Sequence, residues 1–110
     1  MKSGRRPPSG LQPWLAEEDR RGEQLLNAGQ LEQATALFET MLVRLGPAPS
    51  AGRAAILGRL GRCLHLQRRP DAAVTRLREA LRVATSCTPS AQVRAVRGPL
   101  YSELGIALQA

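Results

Sequence analysis

The stretch EQATALFETML at residues 32–42 returns in altered form at residues 71–81, as DAAVTRLREAL. Few letters match, but small and large apolar residues recur at equivalent positions: Ala34, Phe38 and Met41 in the first stretch, Ala73, Leu77 and Ala80 in the second. Apolar residues three and four positions apart form one face of a helix. The chain therefore repeats one amphipathic helix, which predicts a fold built from repeated helical units.

The composition favours an all-α chain. Hydrophobic residues make up 43% of the 110 positions, but only Trp14, Phe38 and Tyr101 are aromatic. The core is therefore expected to consist mainly of Leu, Ala and Val, of which Leu and Ala favour helices. No window alternates β-branched and polar residues over the length of a strand, so strands are not expected.

Turn and capping residues divide the chain into five predicted helices. A basic tail at residues 1–10, rich in Gly, Pro and Ser, is expected to be disordered. Gly29 is the predicted left-handed cap of the first helix, Ser50 the N-cap of the third, and Gly98-Pro99 is expected to kink or restart the fifth. The predicted helices span about residues 13–28, 31–45, 50–66, 70–84 and 90–110.

Small residues mark the helical pairs. Gly22 precedes Ala34 by the same interval at which Gly61 precedes Ala73. We expect each glycine to face its alanine, because antiparallel helices approach closely only where small side chains meet. Gly105 repeats the Leu-Gly-x-x-Leu frame of Gly61.

Large residues of the frame are predicted to join one pair to the next. Phe38 and Leu77 are expected to fill the gap to the neighbouring pair, because a single pair cannot bury both its faces. The predicted packing residues are Gly22, Ala34, Phe38, Gly61, Ala73, Leu77, Ala80 and Gly105.

These residues, in this order, resemble the tetratricopeptide repeat (TPR) family over about residues 13–110, which implies a helical repeat domain at residues 11–110. The resemblance implies antiparallel hairpins stacked as a right-handed α-solenoid, with about two and a half repeats at residues 13–46, 50–86 and 90–110. The intervals from Gly22 to Gly61 and from Gly61 to Gly105 both exceed the period of the usual repeat, which is about 34 residues. The sequence is therefore similar to the longer-repeat branch of the family.

The third repeat holds only one helix, which has two interpretations. Residues 90–110 are either a capping helix or the beginning of further repeats in a longer array. The apolar residues Leu100, Tyr101, Ile106 and Leu108 favour the beginning of further repeats, or burial against another chain, over a polar cap. Self-association through this C-terminal helix is therefore one of the hypotheses that the sequence leaves open.

The resemblance also implies a binding surface, because the first helix of each TPR pair lines a concave groove that holds a partner peptide. The residues at groove positions are Arg20, Glu23, Arg59, Arg62, His65 and Glu103. Arg59 and Arg62 are the main candidates, since two guanidinium groups can hold a carboxylate or an acidic segment; the alternative is that both are merely solvated. Asp19 and Glu23 occupy the places of the carboxylate clamp found in chaperone-binding members, so that clamp is missing.

The sequence offers no residues for an enzyme, a metal or a cofactor. His65 is the only histidine, and Cys63 and Cys87 lack the spacing of a zinc site. We interpret both thiols as reduced and structural, with a disulfide as the alternative. No apolar run approaches the about 18 residues of a membrane helix and the first ten residues lack a secretory signal, so a soluble cytoplasmic protein is expected.

The net charge of +7 is concentrated in the second half of the chain. Residues 1–50 carry six basic and six acidic side chains, whereas residues 51–110 carry ten and three. This excess favours an acidic partner, and the main hypothesis is a scaffold or adaptor that binds a protein or peptide. The alternative is nucleic acid, although no aromatic side chains lie among the arginines to stack on bases; its candidate phosphate contacts are Arg53, Arg68, Arg69, Arg76, Arg78, Arg82, Arg94 and Arg97.

Overall fold

The computed structural model describes residues 13–87 and 91–109, and all regular secondary structure in these ranges is helical. The five helices are α1 (Pro13–Asn27), α2 (Leu31–Leu45), α3 (Ala51–Leu66), α4 (Pro70–Ser86) and α5 (Ala91–Gln109). The predicted all-α class and number of helices are confirmed for this part of the chain. The predicted tail at residues 1–10 and the predicted turn at residues 88–90 lie outside the described residues.

The α1–α2 turn and the α3–α4 turn have the same pattern of backbone hydrogen bonds. In each turn, one N–H donates to the carbonyl three positions back and the next N–H to the carbonyl five positions back: Gly29 to Leu26 and Gln30 to Leu25, then Arg68 to His65 and Arg69 to Leu64. The φ angle is positive at both centres, 80° at Gly29 and 62° at Arg68. Gly29 is thus the left-handed cap that the sequence predicts. Arg68 adopts the same conformation at a cost of roughly 1–2 kcal/mol, because its Cβ crowds the backbone there.

The side chains of Ser50 and Arg53 stabilise the connection between α2 and α3. The Ser50 hydroxyl accepts a hydrogen bond from the Arg53 N–H at 3.0 Å, which confirms the predicted N-cap. The Arg53 guanidinium donates to the carbonyl of Gly46 at 2.8 Å, beyond the end of α2. It also lies 3.9 Å from the Glu79 carboxylate of α4. Arg53 therefore joins three helices and is not a free surface charge.

Helix α3 lies at the centre of the fold. Each helix packs against the next one in the chain, and α3 also packs against α1 and α5. Among the described residues, the backbones of α1 and α5 do not approach each other, whereas α2 reaches α4 through the ion pair of Glu39 with the Arg76 guanidinium at 3.4 Å. The helices form a compact arrangement with extents of 50 × 28 × 20 Å and a radius of gyration of 13.8 Å.

Leu and Ala form most of the core, as the sequence predicts, but among the described residues Val93 is the only buried valine. The largest fully buried side chains of the core are Phe38, Met41, Ile56, Leu57, Leu60, Leu77 and Cys63. Of the aromatic residues, only Phe38 is fully buried; Trp14 is half-buried with the Arg44 guanidinium 4.0 Å from its ring centre. In the described part of the chain, no helix has the length and apolar character that would let it cross a membrane.

Helix α5 departs from two expectations. It does not restart at Gly98-Pro99 but continues as a single helix through both residues; a kink there, the other expected outcome, stays a prediction. Gly98 has no Cβ to clash with the proline ring, and that clash is a usual reason for a helix to stop before proline. Leu100, expected to be buried against another chain, is instead only 3% exposed because it packs on Gly58 of α3 within the chain.

Candidate functional site

A groove of about 200 Å³ lies between α3 and α5. Its lining consists of small and apolar residues with three charged side chains: Ala55, Gly58, Arg59 and Arg62 from α3, and Ala95, Val96, Pro99, Leu100 and Glu103 from α5. The structure therefore brings together three of the six predicted binding residues, Arg59, Arg62 and Glu103.

Gly58 sets the width of this groove. A Cβ atom at Gly58 would collide with a methyl group of Leu100, so the glycine allows α5 to approach the α3 backbone. Gly61, one helical turn later, faces Leu77 of α4 instead. Sequence reasoning missed Gly58 because this glycine lies outside the repeated frame.

Arg59 is held by carboxylates of α1. Its Nε donates to Asp19 Oδ1 at 2.8 Å and its Nη2 to Asp19 Oδ2 at 3.1 Å. Glu23 Oε1 lies 3.8 Å from the same Nε. The hydrogen bonds to Asp19 raise the pKa of Arg59, against the burial that would lower it, so the guanidinium remains charged. A two-point pair of this kind fixes the side chain, and an acidic ligand would have to displace Asp19 to bind Arg59.

Arg62 is held much less firmly. Its Nε lies 4.0 Å from Glu103 Oε1, and its side chain is 45% exposed against 35% for Arg59. An ion pair at this distance and exposure contributes little to stability. Arg62 is therefore the groove arginine that a ligand carboxylate can reach without breaking a short hydrogen bond.

The other three predicted binding residues lie outside the groove lining, on α1 and near the end of α3. Arg20 is exposed on α1, and Glu23 contributes to the cluster of charge around Arg59. His65 is half-buried near the end of α3, and no hydrogen-bond partner reaches its Nδ1 atom among the described residues. The structure thus separates the six candidates into a groove set and a set along α1 and the end of α3.

Gly22 and Gly61 lie closer to large side chains than to the alanines that the sequence placed opposite them. A Cβ atom on Gly22 would lie 2.5 Å from the Phe38 ring, and one on Gly61 would lie 2.6 Å from Leu77 Cγ. Phe38 and Leu77 therefore pack onto the glycine of their own hairpin. The sequence had predicted that Ala34 and Ala73 would occupy these positions. No described atom lies within 4 Å of the equivalent point on Gly105. The alanines at positions 34, 73 and 80 are fully buried.

The two thiols differ in exposure and acidity. Both cysteines are free; Cys63 is fully buried in the core, and Cys87 is half-buried and donates to the Val83 carbonyl at 3.2 Å. Burial raises the pKa of Cys63 to about 11.

We predict that iodoacetamide modifies Cys87 well before Cys63. The thiolate is the reactive form, and at a pH of about 8 a thiol of this pKa is only about 0.1% ionised. The labelling rate of Cys63 should rise with pH up to about 11, since deprotonation becomes complete only above the raised pKa. Mass spectrometry of timed samples measures both sites; equal rates under native conditions would contradict the buried position of Cys63.

Comparisons of the chain with family models, with curated proteins and with solved structures found no match. Among the described residues, no three His, Cys, Asp or Glu side chains are grouped so as to hold a metal ion.

Proposed function

We propose that this protein is an intracellular TPR-like scaffold that binds a partner peptide in the groove between α3 and α5. The observation that carries the proposal is the groove itself, in which an apolar floor at Gly58 and Leu100 adjoins the weakly paired Arg62. Apolar contact area with a few placed polar groups is typical of sites that bind ligands.

The repeated geometry supports a solenoid of the longer-repeat type. The α1–α2 and α3–α4 turns share one pattern of hydrogen bonds. Each complete hairpin also packs a large side chain from its second helix, Phe38 or Leu77, onto a glycine of its first helix. Because α3 packs against both α1 and α5, this repetition supports hairpins stacked side by side, with α1, α3 and α5 lining a common surface.

Two groups in the groove suit a peptide. Arg62 offers a guanidinium that can exchange Glu103 for a ligand carboxylate. Pro99 has no N–H, so the Ala95 carbonyl cannot receive its usual helical hydrogen bond from residue 99. Both Ala95 and Pro99 line the groove, and a peptide N–H can donate to this carbonyl. The groove therefore matches an acidic or carboxyl-bearing peptide with a small apolar side chain for the floor.

Arg59 takes a different role from the one that the sequence suggests. Its short hydrogen bonds to Asp19 make it part of the groove wall. Arg59→Glu would place a third carboxylate beside Asp19 and Glu23, so the loss of binding in that variant would not separate recognition from folding. Arg62 alone is the informative position.

The test uses a peptide selected from a random library on the whole chain, then titrated by fluorescence anisotropy. Arg62→Glu is expected to weaken binding at least about tenfold, which is about 1.4 kcal/mol, without loss of helicity by circular dichroism. Arg21→Glu is the matched control, since Arg21 is exposed on α1 and outside the groove. Amide chemical shifts should change at Gly58 and Ala95. Equal binding by the Arg62 and Arg21 variants, with shifts elsewhere, would exclude the groove.

Nucleic-acid binding is the second candidate function, but fewer arginines are available for phosphate contacts than the sequence predicted. Arg53 is held by a hydrogen bond to the Gly46 carbonyl and Arg76 by ion pairs with Glu79 and Glu39, so they are not free to contact phosphates. The exposed arginines of the predicted set without an ion pair among the described residues are Arg68, Arg69, Arg78, Arg82, Arg94 and Arg97. Oligonucleotide binding that falls steeply with added salt would favour this candidate, and no binding at low salt would remove it.

A further inference from the structure

One side of α5 is exposed along most of its length. Its residues recur at intervals of three and four, which places them on one face of a helix. We call this the outer face of α5; it consists of Arg94, Arg97, Tyr101, Gly105 and Leu108, all exposed. The groove residues Ala95, Pro99 and Glu103 lie on a different side of the same helix, so the outer face is separate from the proposed peptide site.

The C-terminal half of the outer face is apolar. Tyr101 is 57% exposed and Leu108 is 56% exposed. Between them, no described atom lies within 4 Å of a Cβ position on Gly105, whereas Gly22 and Gly61 each receive a large side chain. Because Gly105 leaves room for a close approach between Tyr101 and Leu108, a large apolar side chain from another helix fits here as Phe38 fits on Gly22.

The N-terminal half of the outer face is basic. Neither Arg94 nor Arg97 has an ion pair among the described residues, and the first turn of α5 contains no acidic residue. Arg94 lies in the first turn of α5, where positive charge is unfavourable because it meets the positive end of the helix dipole. Carboxylates supplied from outside would neutralise both arginines and offset the repulsion at Arg94.

We propose that the outer face of α5 binds an amphipathic helix of a partner protein. The partner helix carries large apolar residues that cover Tyr101, Gly105 and Leu108, and Asp or Glu side chains at the end that meets Arg94 and Arg97. Helices that lay an apolar face on a hydrophobic surface are a common mode of recognition. This inference does not depend on the peptide groove, because a different side of α5 carries it.

The charge pattern favours this occupant over two others. A second copy that packed through the same face would bring its own Arg94 and Arg97 but no carboxylate, since Glu103, the only acidic residue of α5, lines the groove beside Arg62. A nucleic acid would neutralise the arginines but would leave Leu108 exposed. Only a helix with both apolar and acidic residues matches the whole face.

The first experiment compares three synthetic helical peptides by fluorescence anisotropy with the whole chain. The probe carries Leu at intervals of three and four and Glu at one end; one control has Lys in place of Glu, and the other has Ser in place of Leu. The Glu–Leu peptide is expected to bind, and each control to bind at least about tenfold more weakly. Equal binding of the Glu and Lys peptides, or no binding of the Glu–Leu peptide, would overturn the proposal.

Charge-reversal variants of the protein then locate the binding site. Arg94→Glu with Arg97→Glu should lose the Glu peptide and gain the Lys peptide, a reversal that unfolding cannot produce. The matched control, Arg21→Glu with Arg68→Glu, makes the same charge change at exposed positions elsewhere. Leu108→Ser should weaken binding at least about tenfold, whereas Val43→Ser, at a residue 83% exposed on α2, should not.

Two further outcomes assign the face to another occupant and overturn the proposal. One is a dimer in sedimentation experiments that becomes a monomer in Leu108→Ser. The other is binding of a single-stranded oligonucleotide that depends on Arg94 and Arg97 but not on Leu108. Arg62→Glu should leave the helical peptide bound, so this proposal and the groove proposal can fail separately.

Discussion

Replacement of Phe38 with alanine is expected to lower the free energy of unfolding by about 3–5 kcal/mol, the usual range for a buried phenylalanine. Phe38 is fully buried, and its ring lies directly on the backbone of Gly22. The substitution removes the apolar contact between α1 and α2 and leaves a cavity that the helices cannot fully close. In a domain of this size, such a loss is a large part of a total stability of about 5–15 kcal/mol.

Urea unfolding followed by circular dichroism measures this effect. The matched control is Val43→Ala on the same helix, where the side chain is 83% exposed and a change within about 0.5 kcal/mol is expected. If Phe38→Ala lowers the free energy of unfolding no more than Val43→Ala does, α2 does not pack on α1 through this ring.

Replacement of glycine with alanine should have opposite effects on stability at the two glycines of the Leu-Gly-x-x-Leu frame. Gly61→Ala is expected to destabilise the protein by about 1–2 kcal/mol, because its Cβ would lie 2.6 Å from Leu77 Cγ and 3.4 Å from the Ala73 carbonyl. Gly105→Ala is expected to stabilise it by about 0.5–1 kcal/mol, since alanine favours the helix and no described atom is in the way.

Thermal and urea unfolding of both variants checks the sign of each change. Adding Leu77→Ala to Gly61→Ala tests the cause: the combined loss should be smaller than the two single losses added together, because the shortened side chain removes the clash. Stabilisation by Gly61→Ala would contradict the close contact between α3 and α4. Destabilisation by Gly105→Ala would show that this glycine is covered.

The helices were largely predictable because their signals are local. Ser50 caps α3 through a hydrogen bond to a residue three positions away, and Gly29 ends α1 through its own backbone conformation. The repeat was visible in the apolar spacing, and the structure shows it again in the turn hydrogen bonds. Arg68 shows the limit of residue-type rules, because it takes the conformation of Gly29 although its side chain disfavours it.

The candidate site was only half predictable. Spacing placed Arg59 and Arg62 on one face of α3, but the face of a helix does not show which charges of other helices lie opposite. Asp19 is far from Arg59 in the chain, and their pairing exists only once α1 lies beside α3. That pairing makes Arg59 part of the wall and leaves Arg62 as the reachable guanidinium.

The sequence by itself determined the five helices, the caps at Gly29 and Ser50 and the repeated small and large residues, because each depends on neighbours within one or two turns of the chain. Only the tertiary structure decided which arginines are neutralised, that Gly58 receives Leu100, and that Gly105 receives no described neighbour. These outcomes depend on which side of each helix meets another, and local spacing along one helix does not specify that.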